Sequence, residues 1–121
     1  MPSRRIFLLG AATVGVALAP LPAFAHAILE DSQPRSGATI APGAISMRLR
    51  FNSRIDRARS RLTLTRPDKS RATLALAPDT APEIIATQAD LTPGAYVLRW
   101  QVLAVDGHIT RGDIPFTLSA P

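Results

Sequence analysis

From Ile45 to Phe51 every second residue is apolar: Ile45, Met47, Leu49 and Phe51 alternate with Ser46, Arg48 and Arg50. A period of two puts one residue set on each side of an extended chain, so this segment predicts a strand with one buried and one wet face. The same period recurs at Leu62/Leu64, at Leu74/Leu76, through Tyr96, Leu98, Trp100 and Val102, and at Phe116/Leu118. Ile28 and the stretch 83–87 carry fragments of it. Between the runs stand breakers: Pro34 to Gly37, Pro42-Gly43, Pro67-Asp68, Pro78-Asp79 and Pro93-Gly94. Short alternating strands divided by Pro and Gly turns at near-regular spacing predict an all-β antiparallel sandwich or barrel. No helical period of any length appears beyond residue 25. The run Leu91-Thr92-Pro93-Gly94-Ala95-Tyr96 has the form of a tyrosine corner, in which the phenol bonds backbone a few residues upstream. An ordinary turn followed by a core aromatic reads the same residues equally well. Trp100 is expected in the core in either case.

What precedes this β-rich stretch has a different grammar. Arg4 and Arg5 open the chain, an apolar run extends from Ile6 to about Leu21, and Ala23-Phe24-Ala25 closes it. A charged start, an apolar middle and an A-x-A box form the three-part plan of a secretory signal. The paired arginines, flanked by Ser3, Phe7 and Leu8, resemble the twin-arginine export motif, with Leu9 where that motif often has lysine. A membrane anchor is the competing reading, but the apolar run is marginal in length and broken by Pro20 and Pro22. Residues 1–25 are therefore expected to be a cleaved signal peptide. Residues 26–121, 96 residues, are expected to form one small domain, soluble and outside the cytoplasm.

The chain has no cysteine, so neither a disulfide nor a thiolate ligand is on offer. Setting Arg4 and Arg5 aside from 14 basic residues leaves twelve against nine acidic ones. Nearly all of that positive charge is arginine. A nucleic-acid partner does not fit an exported chain with one Trp, one Tyr and no basic–aromatic interleaving. A solvated basic face, or attraction to an anionic lipid or acidic partner, fits better.

Only two histidines occur, and both stand where a metal could use them. His26 directly follows the A-x-A box, so cleavage there would leave histidine at the mature N-terminus. Its free α-amine and imidazole could then chelate one ion. His108 ends Asp106-Gly107-His108, and in an extended segment residues i and i+2 face the same way, with Gly107 easing a tight turn. The set His26, Asp106 and His108 offers two imidazole nitrogens, one amine nitrogen and one carboxylate oxygen. Nitrogen-rich and sulfur-free, it suits tetragonal Cu(II), which also heads the affinity order of divalent first-row metals. Zn(II) accepts the same atoms in a tetrahedron. Cu(I) prefers sulfur, and only Met47 remains after cleavage, at an apolar strand position. An isolated Asp-Gly-His is often a plain turn. Glu30, Asp31, Asp56 and Asp113 read as solvated or turn-forming acids, with Asp113 near enough in sequence to His108 to support it.

The start His26-Ala27-Ile28-Leu29, then Ser32-Gln33-Pro34 and Ser36-Gly37-Ala38, resembles the opening of the copper-resistance protein CopC family. So do Leu49-Arg50-Phe51, the run from Pro93-Gly94 through Tyr96 to Trp100, and Asp106-Gly107-His108 followed by Gly112 and Phe116. The resemblance spans essentially all of residues 26–121. It implies a small immunoglobulin-like Greek-key β-sandwich or barrel of about seven antiparallel strands. It also implies a periplasmic, non-enzymatic protein that handles copper by binding one Cu(II). By resemblance His26 supplies amine and imidazole, His108 a second imidazole and Asp106 a carboxylate oxygen. The family often acts with the inner-membrane protein CopD, and a monomer is expected. This chain departs from the family at Asn52-Ser53-Arg54, where an acid and a proline often follow the aromatic, and at Ala104, commonly a serine. The Met-rich Cu(I) site of some members is missing.

Two other readings belong to different classes. A histidine at a mature N-terminus also serves copper oxidases and monooxygenases, although this chain is short and poor in the aromatics that build a substrate face. A plain immunoglobulin-like interaction module would leave Asp-Gly-His as an incidental turn. Copper-stimulated oxygen consumption would mark the first, and indifference of thermal stability to copper the second.

Overall fold

The computed structural model describes residues 27–120. Eight strands form in it: β1 (Leu29–Gln33), β2 (Ala38–Ile40), β3 (Gly43–Phe51), β4 (Arg61–Thr65), β5 (Arg71–Leu74), β6 (Ile84–Leu91), β7 (Gly94–Leu103) and β8 (Ile109–Leu118). One 3₁₀ turn, Arg57–Arg59, joins β3 to β4. The strands make two sheets, a three-stranded one ordered β1-β3-β6 and a five-stranded one ordered β2-β8-β7-β4-β5. They pack as an immunoglobulin-like β-sandwich.

Each alternating run turns its apolar set inward. Met47, Leu49, Phe51, Leu62, Leu64, Leu98 and Val102 are fully or almost fully buried, and with Ile114, Phe116 and Leu118 they fill the space between the sheets. Met47 is completely enclosed, so its sulfur is out of reach of any surface ion. Trp100 belongs to this core, as expected. Its ring meets Phe51 edge-on, with centroids 5.2 Å apart and planes at 69°. It also lies over Gly112, its partner across β7 and β8. A Cβ there would stand 2.6 Å from Trp100 Cζ2, so only glycine admits the indole.

The tyrosine corner is formed. Tyr96 donates its hydroxyl hydrogen to the Thr92 carbonyl at 2.8 Å, and its ring stacks on Phe116 at 5.6 Å. Gly94, at the head of β7, has φ +144°, and a Cβ there would meet Pro67 Cγ at 2.4 Å.

Three elements differ from the sequence reading. β6 runs through Gln88, Ala89 and Asp90, well past the expected 83–87, because it pairs with β3 residue for residue from Gly43↔Leu91 to Arg50↔Ile84. Those residues have little strand preference of their own; the partner's ladder holds them. β5 stops at Leu74, and the next residues leave for the other sheet: Ala77 donates to the Ala86 carbonyl at 2.8 Å, and Thr87 Oγ1 to the Ala75 carbonyl at 2.6 Å. Finally β2, three residues long, pairs with β8 in parallel, from Ala38↔Phe116 to Ile40↔Leu118. It adds a short strand to the seven or so expected and gives the sandwich one parallel pairing.

Candidate metal centre

Asp106 and His108 lie on the turn that joins β7 to β8. Ala104 and His108 close a three-residue loop: the Ala104 N–H donates to the His108 carbonyl and the Gly107 N–H to the Ala104 carbonyl, each at 2.9 Å. This is the three-residue hairpin in which a tight turn is followed by one left-handed residue. Gly107 is that residue, at φ +94°, and nothing lies within 4 Å of where its Cβ would be. Conformation, not space, reserves the position for glycine.

The turn brings the two side chains together in a way an extended strand would not. Asp106 Oδ1 accepts the His108 backbone N–H at 3.1 Å, and Oδ2 lies 2.7 Å from His108 Nδ1. The two side chains were expected on one face of an extended segment; instead the aspartate reaches forward two residues across a turn. The His108 side chain is 60% exposed and that of Asp106 25%.

The base of this hairpin is held by the segment after β3. Ile55 bridges to Ala104, Val105 donates to the Arg54 carbonyl at 3.3 Å, and Asp56 N–H donates to the Leu103 carbonyl at 2.8 Å. Ser60 Oγ accepts the Leu103 N–H at 3.0 Å.

The same end of the sandwich receives the start of the described chain. Ala27 is buried, and its carbonyl accepts a hydrogen bond from Thr110 Oγ1 at 2.9 Å. Asn52 grips the next residue from both sides, its Oδ1 accepting the Ile28 N–H at 2.8 Å and its own N–H donating to the Ile28 carbonyl at 3.1 Å. Neither Thr110 nor Asn52 was expected to hold this segment. Thr110 shows only as a polar residue two positions past His108, and Asn52 only as a departure from an expected pattern. His26 lies outside the described residues, as does the segment read as a signal peptide. Among the described residues no group of three or more His, Cys, Asp or Glu comes together.

Asp113 does not support His108. It pairs bidentately with Arg99 across β7 and β8, at 2.8 Å (Nε to Oδ1) and 3.1 Å (Nη2 to Oδ2). The hydrogen bond from Arg99, aided by its charge and opposed by partial desolvation, holds the Asp113 carboxyl below its ordinary value of 3.8. The hydrogen bond to Asp113, with the carboxylate's charge, raises Arg99. Register explains the choice of partner, since Arg99 and Asp113 are directly opposite while His108 lies beyond the strand's other end. Glu30 and Asp56 are likewise paired, with Arg50 at 2.6 Å and Arg59 at 3.1 Å. Among the described residues no helix is long and apolar enough to cross a membrane.

An immunoglobulin-like sandwich with an Asp–His pair on an exposed end hairpin is the class of domain these observations define. Residues 29–119 match the CopC domain family. "Copper resistance protein C" of Xanthomonas campestris pv. juglandis is 31% identical over 113 residues, covering 87% of this chain and 89% of that protein. "Protein YobA" of Escherichia coli K12 is 27% identical over 99 residues, 78% of this chain and 80% of that one. Among solved structures, CopC from Methylosinus trichosporium OB3b superposes with a TM-score of 0.72 at 24% identity, covering 78% of this chain and 95% of that chain. PcoC, a methionine-rich copper resistance protein from Escherichia coli, gives 0.61 at 27%, over 78% and 100%. The chain belongs to the CopC family.

Proposed function

We propose that this protein is a periplasmic Cu(II)-binding protein of copper resistance, storage or trafficking. It is exported with residues 1–25 as a signal peptide and acts as the processed domain 26–121. One Cu(II) is held by the α-amine and imidazole of His26, the Asp106 carboxylate and the His108 imidazole, in a monomer that exchanges copper with a CopD-like inner-membrane protein. The copper assignment draws on family membership and on relatives whose names record copper resistance.

The observation that carries the site is the tether between Ala27 and Thr110. Thr110 is two residues from His108, so the tether anchors Ala27, the residue to which His26 is covalently bonded, at the hairpin end. Asp106 Oδ2 and His108 Nδ1 are 2.7 Å apart, a hydrogen-bond contact that a metal held by both atoms would replace. The α-nitrogen is an amide until the signal is removed, so the complete site forms only on processing.

Electron paramagnetic resonance titration of processed protein with Cu(II) tests this reading. One equivalent should give a nitrogen-coupled signal, and a version with one extra residue before His26 should lose it. The same signal from both versions, or tight Cu(II) binding by the uncleaved precursor, would overturn the N-terminal site.

A further inference from the structure

The outward side of the five-stranded sheet gathers the positive charge of the domain. In register across its strands, Arg61, Gln101 and Arg111 form one rung, Thr73, Thr63, Arg99 and Asp113 the next, and Arg71, Thr65, Val97 and Pro115 a third. Four arginines face one aspartate there. That excess of three equals the excess of the whole domain, twelve basic against nine acidic residues, so the remaining surface is balanced overall. Asp113 is already matched by Arg99. Arg61 and Arg71 make no ion pair with any described residue, and Arg111 makes only a 3.3 Å hydrogen bond to Gln101.

The face is hollowed. A cavity of about 500 Å³ is lined by residues of β4, β5, β7 and β8, with Thr63, Thr65 and Gln101 among its polar lining. The cations ring it in steps. Two residues along a strand advance about 6.8 Å, so the rungs of Arg61 and Arg71 are about 14 Å apart. One carboxylate or phosphate can meet a single rung. An extended polypeptide repeats its same-side residues at about 6.8 Å, so acids four positions apart would meet the Arg61 and Arg71 rungs, with the Arg99–Asp113 pair between them.

From this geometry we infer that the outer face of the five-stranded sheet is a docking groove for an extended acidic polypeptide segment of a partner protein. A bilayer is the poorer match. Its flat headgroup plane meets the rim of a hollow, not its floor, and both Tyr96 and Trp100 point into the core, leaving no interfacial aromatic on this face. Arg111, opposite the lining residue Gln101 and three residues past His108, adjoins the groove, so a chain extending beyond that rung would approach the hairpin end. The inference stands without the copper assignment, since no metal ligand takes part.

The test is an NMR titration of isotope-labelled processed protein, at low ionic strength, with a blocked hexapeptide alternating glutamate and threonine. Amide shifts should concentrate on β4, β7 and β8, and a peptide with glutamine for glutamate should produce none. Replacing Arg61→Gln and Arg71→Gln together should weaken binding about tenfold, as expected for loss of two complementary charges. The pair Arg35→Gln with Arg48→Gln, elsewhere on the surface and equal in net charge, should leave binding unchanged. Spectra of the free variants show whether the fold is retained. Absent shifts, or equal weakening by both pairs, would overturn the groove. So would binding to phosphatidylglycerol vesicles that saturating peptide fails to displace, which would assign the face to lipid.

Discussion

Two glycines of the β7–β8 hairpin show how differently one residue type can be required. Gly107 has open space but a left-handed backbone, whereas Gly112 lies flat under the Trp100 ring. Gly107→Ala should therefore cost about 1 kcal/mol of backbone strain with the core intact. Gly112→Ala should cost about 1–3 kcal/mol, because the indole must shift within a close-packed core. Chemical denaturation measures both, and near-ultraviolet circular dichroism separates them, with the Trp100 signal changing only in the second. At the candidate metal centre the turn makes Asp106 and His108 one unit. His108→Ala should lower Cu(II) affinity by more than about a hundredfold, beyond the usual cost of losing a supporting contact. Competition against a chelator of known affinity reads it, and unchanged affinity would exclude His108 as a ligand.

The hairpin and the N-terminal segment come from opposite ends of the chain, and one side-chain bond links them. Thr110→Val keeps the shape of the side chain but removes its bond to the Ala27 carbonyl. Copper affinity should fall by about tenfold, as for other contacts that orient a ligand. The change also leaves the Ala27 carbonyl unpaired at a cost of about 1–3 kcal/mol, so an affinity loss that persists where the variant is fully folded identifies a positioning role. On the opposite side of the same strands, Arg99 and Asp113 form an exposed cross-strand pair. The Asp113 carboxyl is depressed in the folded protein, so its contribution is present above its ordinary value of 3.8 and is lost as pH falls through the lower folded value. The thermal midpoint of Asp113→Asn should lie slightly below that of the parent at neutral pH. The two should converge under acid, as titration-dependent melting curves would reveal.

For the molecule as a whole, binding and stability are linked. A domain of this size with no disulfide has a modest stability margin, so a tight ligand shifts it visibly. At a thousandfold excess of free Cu(II) over its dissociation constant the processed protein should gain about 4 kcal/mol, and the version extended before His26 much less. Differential scanning calorimetry distinguishes the two. A thermal midpoint indifferent to copper in the processed protein would favour a metal-free interaction module.

Much of this was already written in the order of the residues. The alternation of Ile45, Met47, Leu49 and Phe51, and of Tyr96 through Val102, determined inward and outward faces, because a strand offers each residue only two directions. Pro and Gly punctuation marked where strands stop, and the residue types of His26, Asp106 and His108 identified the candidate chemistry. What local pattern lacked, partners supplied. The polar end of β6 is a strand because β3 lies beside it, and the three-residue β2 exists because β8 offers it an edge. Asp113 looked close to His108 along the chain, yet register gave it to Arg99. Thr110 and Asn52 became visible only when the chain brought residues 27 and 28 against them, since contacts between residues distant in sequence leave no periodic trace in it.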